Sequence, residues 1–233
     1  MTPAALAIAW LTKDYRGLRP LRIQELTVGH DDTVAILGFD QPSAEVFVNL
    51  ATGATLPDAG TVHAFGHATS AIADGDEWLK TLDRFGIVTE RAVLLDQLTV
   101  VQNLAMPFTL EIEPPPDAVR GRAEAIAQEV GLPAALWSSR VADLDAAGRA
   151  RVRLGRALAV DPALLILEHA SAGVPPAAAG ALGADIRHIA ATRRIALVAA
   201  TADDTFARAV AVRVLTLEPA SGRLVERRRG WFK

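Results

Sequence analysis

Short apolar runs alternate with amphipathic segments along this chain, and the alternation predicts strands and helices in turn. Three runs of only a few residues lie at Thr33–Leu37, 163–167 and 195–200, each bounded by residues that favour turns. Such runs are typical of parallel strands buried on both faces. Apolar residues at helical spacing cover 149–159 and 177–191. Strands separated by helices predict an α/β fold with a mainly parallel sheet.

The two ends of the chain have strand patterns of their own. Residues 1–11 are apolar, but no positive charge precedes them and no cleavage signal follows, which favours a first strand over a signal peptide. Residues 212–217 and 221–225 are two further short runs on either side of a turn. We expect this second pair to form a terminal hairpin.

One break and one further helix are expected in the middle of the chain. Pro114, Pro115 and Pro116 cannot continue a helix and mark a linker. After them, Asp117 can cap a helix that Gly131 would end, with apolar residues at helical spacing between the two.

Composition narrows the classes of function. With 233 residues, 51% of them hydrophobic, the chain can bury one sizeable core or a core plus a subdomain. Its 24 basic and 27 acidic residues give a net charge of -3, which offers no field for nucleic acid, so no nucleic-acid partner is expected. The absence of cysteine excludes disulfides, thiolate metal sites and thiol nucleophiles, and the scattered histidines predict no metal site. No uncharged apolar run approaches the roughly 18 residues of a membrane span, so a membrane role would need a partner.

The turn after Thr33–Leu37 stands where a phosphate-binding loop would lie. That loop, G-x-x-x-x-G-K-[ST], needs a lysine for the terminal phosphates and a hydroxyl for Mg²⁺. Here Gly38 keeps the first glycine, Ser43 replaces the second, Ala44 replaces the lysine and Glu45 replaces the hydroxyl. Taken alone, the loop predicts an ordinary turn from a strand to a helix.

Other motifs give the chain a resemblance that extends over almost its whole length. In chain order, the matching segments are 11–15 (LTKDY), 37–53, 57–60, 62–66, 98–104 (LTVVQNL), 144–152 (LDAAGRARV), 156–162 (RALAVDP), 164–173, 201–203 and 211–215 (AVRVL). Together they resemble the ATPase subunit of ATP-binding cassette (ABC) transporters. The resemblance implies a P-loop NTPase-like α/β fold with a mainly parallel core sheet, an antiparallel β portion and a helical subdomain. It also implies one domain over 1–233, with its core at 1–90 and 156–233 and the helical subdomain at 91–155.

The scaffold positions of this family are kept, whereas nearly every catalytic position is altered. The altered catalytic positions are Ala44, Glu45, Glu90, Glu168, His169 and Ala202. The altered signature segment consists of Leu144, Asp145, Ala146, Ala147 and Gly148. If the chain binds a nucleotide, the resemblance implies contacts from Tyr15, Gly38, Ser43 and Glu168. His169 could act as a general base or be a partly buried polar residue at a strand end, and Tyr15 could stack on adenine or pack against the core.

These substitutions predict a non-catalytic subunit, a pseudo-ATPase that docks or regulates a membrane transport complex at the inner face of the membrane. The expected partners are a membrane permease, docked through Leu95, Leu98 and Met106, and a second cassette that is another ATPase subunit or a copy of this chain. No cofactor is expected, although weak binding of Mg-ATP stays open. Two alternatives remain: an ATP-binding subunit whose aberrant motifs still bind or hydrolyse ATP, and a soluble adaptor outside transport.

Overall fold

The computed structural model describes residues 3–72 and 74–226, and within them a six-stranded sheet forms the centre of the fold. Its strand order is β10-β9-β3-β8-β7-β6. The strands are β3 (Thr33–Leu37), β6 (Phe85–Thr89), β7 (Leu164–Glu168), β8 (Ala196–Thr201), β9 (Arg213–Glu218) and β10 (Arg223–Glu226). Neighbours pair in parallel except β10, which pairs with β9 as an antiparallel hairpin. The predicted α/β class, the mainly parallel sheet and the terminal hairpin are confirmed.

A second, antiparallel sheet covers part of the first. Its order is β2-β1-β4-β5, with β1 at Leu6–Lys13, β2 at Leu21–Val28, β4 at Ala59–Ala64 and β5 at His67–Ala68. The first strand therefore begins later than the prediction from residue 1 and runs two residues beyond Leu11, because Thr12 and Lys13 still pair with β2. Met1 and Thr2, the start of that prediction, lie outside the described residues.

Seven α-helices lie in the described ranges. They are α1 (Gln41–Ala51), α2 (Gly75–Leu82), α3 (Val100–Ala105), α4 (Asp117–Glu129), α5 (Ala146–Leu158), α6 (Pro176–Arg193) and α7 (Asp204–Val210). None of these helices is both long and apolar enough to span a bilayer.

The central strands are buried on both faces, which explains their unbroken apolar sequence. On β3, Val34 and Ile36 face the antiparallel sheet and α1, while Ala35 and Leu37 face the cluster formed with the helices α3 to α7. This alternation follows from the two-residue repeat of a strand. Because β3, β6, β7, β8 and β9 are parallel, they all end at one edge of the sheet, where their exit loops meet.

Two predicted helix boundaries were wrong. Asp117 is the first residue of α4, not its cap: Pro116 holds the cap position, and no side chain bonds to the helix end there. The helix expected over 149–159 begins earlier, at Ala146, because Asp145 caps it by accepting a hydrogen bond from the Gly148 amide at 2.7 Å. The expected boundary at residue 155 falls inside α5. The division into a core and a helical subdomain stays a prediction.

Candidate functional site

The loop between β3 and α1 is a tight turn closed by its own side chains. Gly38 adopts φ +99°, and a Cβ there would lie 3.0 Å from the Leu217 carbonyl oxygen, so only glycine fits this turn. Asp40 caps α1: its Oδ1 accepts the Ser43 amide at 2.9 Å, and its own amide donates to Ser43 Oγ at 3.1 Å. The Ser43 hydroxyl also donates to this carboxylate. These hydrogen bonds from Ser43 hold the pKa of the Asp40 carboxyl below its usual value.

Ala44, the next residue of α1, faces the core and not the loop. Its side chain is fully buried in the cluster formed by α1, the central sheet and the antiparallel sheet. A methyl group therefore fills the position at which the phosphate-loop pattern requires a lysine.

An ion network lies where β6, β7 and α1 meet. Glu168 ends β7 and is fully buried, and Arg91 lies just beyond β6. Arg91 donates to both oxygens of Glu168, with Nε to Oε1 at 3.1 Å and Nη2 to Oε2 at 2.6 Å. Its Nη1 lies 2.7 Å from Oε1 of Glu45, while Gln41 donates to Glu168 Oε1 at 2.6 Å. One guanidinium thus joins two carboxylates from separate elements, and the hydrogen bond to Glu168 raises the pKa of Arg91.

The remaining predicted catalytic positions lie around this network without joining it. His169 follows Glu168 with φ +45°, and its Nε2 is buried without a hydrogen-bond partner among the described residues. Ala202 is exposed directly after β8. Glu90 is exposed too, and its Oε1 lies close to Gly173, 3.9 Å from where a Cβ would stand. The structure therefore brings together only Glu45 and Glu168, through Arg91, out of the altered catalytic set.

Beside the loop lies a cavity of about 550 Å³ that brings together Tyr15, Gly38 and Ser43. Tyr15 is half-buried and packs against the core, with Gly17 against its ring. Burial, and then the nearby charge of Asp40, raise the pKa of the Tyr15 hydroxyl. The cavity volume lies within the range of small-molecule sites. It contains three of the four residues predicted to contact a nucleotide, and the fourth, Glu168, lies in the ion network.

Comparison with known proteins assigns this architecture to a family. A sequence model of the family described as ABC transporter matches residues 22–172, well over half of the chain. The chain belongs to the ABC transporter family. It is similar to the lipoprotein-releasing system ATP-binding protein LolD of Pseudomonas syringae pv. tomato, with 30% identity over 202 residues that cover 87% of each chain. It is also similar to the methionine import ATP-binding protein MetN of Brucella abortus, with 26% identity over 83% of this chain and 52% of MetN.

Solved ABC cassettes have the same fold. A dimeric bacterial ABC transporter cassette superposes with a TM-score of 0.77 at 20% identity, covering 97% of this chain and all of the other. CbiO1 of Clostridium perfringens, part of the transporter complex CbiONQ, superposes with a TM-score of 0.75 at 19% identity, covering 96% and 87%. The predicted resemblance to the ABC family and the predicted cassette fold are confirmed.

The signature segment of the family lies at the start of α5. Asp145 is the exposed cap of this helix, and its carboxylate already accepts a hydrogen bond from the Gly148 amide. Ala146 and Ala147 are half-buried against the helical cluster, while Leu144 is buried. The Asp145 side chain therefore satisfies one of the amides in the first turn of α5.

The phosphate end of this ABC cassette lacks the lysine of the phosphate-loop pattern. Ala44 provides no cation, and the guanidinium of Arg91 already lies between Glu45 and Glu168. The carboxylate of Asp40 accepts the Ser43 amide in the first turn of α1, where an anion could otherwise bind. By contrast, the cavity beside Tyr15 has room for a small aromatic group.

Sequence reasoning missed three residues that form the site: Asp40, Gln41 and Arg91. A signal for Arg91 was present, because an arginine next to the altered Glu90 could compensate the carboxylate introduced at Glu45. Which carboxylates it meets follows only from the meeting of β6 and β7 with α1.

The residues predicted to dock a permease lie on either side of α3, with Leu95 and Leu98 before it and Met106 directly after it. Leu95 is 37% exposed, whereas Leu98 and Met106 are half-buried. Their neighbours Leu94, Val100 and Leu104 are buried in the helical cluster. Part of this apolar segment thus forms the core itself. A role in docking stays a prediction for Leu95, Leu98 and Met106.

Proposed function

We propose that this chain is the cassette subunit of an ABC transporter, held at the cytoplasmic face of the membrane by a permease partner. Its family membership and cassette fold support this function, as do the transport systems named for LolD and MetN. A second cassette, either a copy of this chain or a different ATPase subunit, completes the proposed complex. An adaptor outside transport has no such support.

The comparisons favour the alternative reading, an ATP-binding subunit with aberrant motifs, over the non-catalytic subunit predicted first. LolD and MetN are both named ATP-binding proteins, and the cavity beside Tyr15 can accept an adenine ring. The phosphate end argues for weak binding and loss of hydrolysis, because Arg91 lies between Glu45 and Glu168 and Ala44 replaces the lysine. Phosphoryl transfer depends on such cationic groups.

The position of Arg91 is the observation on which the loss of hydrolysis rests. We therefore propose weak Mg-ATP binding and no turnover, a pseudo-ATPase within a transporter. The test is ATP hydrolysis and calorimetric Mg-ATP titration of the purified chain, with LolD as the positive control. Turnover that follows the protein through purification and disappears in Glu168→Gln would instead establish the second reading, an ATPase with aberrant motifs.

Docking is tested separately by co-purification from the native membrane. We expect a permease to be recovered with the wild-type chain, and less of it with Leu95→Glu or Met106→Glu. Leu56→Glu is the matched control, because Leu56 is exposed to a similar extent but lies before β4. Equal recovery with all three variants would contradict docking through this surface.

A further inference from the structure

We propose that Arg91 is a built-in counter-ion that replaces a bound cation between Glu45 and Glu168 and fixes the segment after β6 to the core. This inference deepens the proposed function and rests on it. Its test uses neither nucleotide nor permease, so it can fail independently of that function.

The carboxylates come from two elements that meet only in the folded chain. Glu45 lies in the first turns of α1, and Glu168 ends β7. The phosphate-loop pattern has the magnesium-holding hydroxyl at the position of Glu45, and the family resemblance puts a metal-binding carboxylate at that of Glu168. Two acidic side chains therefore converge where a family member would hold a cation.

Arg91 fills that position through three separate nitrogen atoms. Nε and Nη2 donate hydrogen bonds to the two carboxylate oxygens of Glu168, and Nη1 lies 2.7 Å from Oε1 of Glu45. A planar guanidinium suits such bidentate pairing, and its charge is kept at any ordinary pH. Among the described residues, no group of three or more acidic or histidine side chains is arranged to hold a metal ion.

Burial makes this contact different from an ordinary surface ion pair. The Glu168 side chain is 0% exposed, whereas those of Arg91 and Glu45 are 41% and 42% exposed. Without the guanidinium, the Glu168 carboxylate would keep, among the described residues, only the neutral donor Gln41. A buried carboxylate left without a cation is strongly unfavourable. The folded chain thus needs a positive charge here, and Arg91 provides it.

The same contact holds the connection between the central sheet and α3. Arg91 ties the connection to the core, while Arg153 and Arg156 of α5 donate to the next carbonyl oxygens, those of Ala92 at 3.4 Å and Val93 at 2.6 Å. The segment is therefore held from both sides by side chains of this protein. It leads directly to Leu95, the first residue of the proposed docking surface.

The experiment compares Arg91→Ala with Arg208→Ala in urea unfolding, with and without MnCl₂. The Mn²⁺ concentration is about 10 mM, chosen for a weak carboxylate site. Arg208 is the matched control because it also makes a bidentate pair, with Asp204, but at an exposed position. We expect Arg91→Ala to lower the urea midpoint by about 1 M or more and Arg208→Ala to change it little. Mn²⁺ should raise the midpoint of Arg91→Ala and leave those of the wild type and Arg208→Ala unchanged.

A second background separates charge from packing. In Glu168→Gln the buried charge is gone, so adding Arg91→Ala should cost less than half of its effect in the wild type. If Arg91→Ala alone does not fold, the double variant is still expected to fold. The proposal is overturned by an equal loss in both backgrounds, by a double variant that fails to fold, by Mn²⁺ stabilising the wild type as much as the variant, or by no Mn²⁺ effect on Arg91→Ala.

Discussion

Replacing Asp40 tests how firmly the loop is closed by its own carboxylate. Asp40 accepts the Ser43 amide at 2.9 Å, and its own amide donates to Ser43 Oγ, which makes a reciprocal cap at the start of α1. Loss of such a cap typically costs about 0.5–2 kcal/mol. We therefore expect Asp40→Ala to lower the free energy of unfolding by about 1 kcal/mol, and the melting temperature by about 2–4 °C for a chain of this size.

Asp40→Asn separates the cap from its charge. Asparagine caps helices about as well as aspartate, so this variant should lose only the interaction between the charge and the helix end, about 0.3–1 kcal/mol. Both variants should also bind inorganic phosphate and ATP more tightly than the wild type, by roughly twofold to fivefold, because the competing carboxylate is gone.

The pH dependence gives the sign of the charge effect. Because the pKa of Asp40 is lower in the folded protein than in the unfolded chain, the carboxylate stabilises the fold above the ordinary aspartate range. This contribution is lost as the pH falls through the depressed pKa. The advantage of the wild type over Asp40→Asn should therefore be present at neutral pH and vanish in acid.

The assay is urea unfolding of the wild type, Asp40→Ala and Asp40→Asn over a range of pH, with calorimetric titration of phosphate and ATP at neutral pH. Asp74→Ala is the control, because Asp74 caps the short α2, which has no buried residue. An Asp40→Ala variant as stable as the wild type would refute the capping argument. A wild-type advantage over Asp40→Asn that grows in acid would refute the sign of the pKa effect.

Three further predictions concern the loop and the packing of the helices. In calorimetry, Ala44→Lys with Glu45→Ser should bind Mg-ATP about tenfold or more tightly than Glu45→Ser alone, because one charge-assisted hydrogen bond contributes about 1.5–3 kcal/mol. Unchanged affinity would show that a lysine at this buried position cannot reach the phosphates. Gly183→Ala should destabilise the chain by about 1–3 kcal/mol in urea unfolding, because the added Cβ would lie 2.9 Å from Ala209 Cβ and 3.0 Å from a backbone oxygen of α7. An unchanged free energy of unfolding would mean that α6 and α7 move apart easily. Arg193→Lys should unfold at a lower urea concentration than the wild type, because lysine keeps the charge but loses the bidentate contact with Glu129. Equal urea midpoints would mean that the bidentate contact adds nothing to the free energy of unfolding.

The local pattern of the sequence was sufficient for much of the fold. The run Thr33–Leu37 matches β3 at both ends. The runs at 163–167 and 195–200 each begin and end one residue earlier than the strands β7 and β8. A strand buried on both faces has an uninterrupted apolar sequence, so nearby residues alone specify it. The loss of the loop lysine at Ala44 was equally visible, because that motif is local.

Only the tertiary structure decided what replaces the lost groups. Arg91 and Glu168 are 77 positions apart, and no periodicity relates residues so distant in sequence. Pairing of β6 with β7 puts Thr89 beside Glu168, and this register brings Arg91, two residues later, to the buried carboxylate. The sequence by itself therefore determined the strands and the missing lysine, whereas the guanidinium between Glu45 and Glu168 follows from strand order and register. Ion pairs form between side chains that the fold brings within a few ångströms, whatever their separation along the chain.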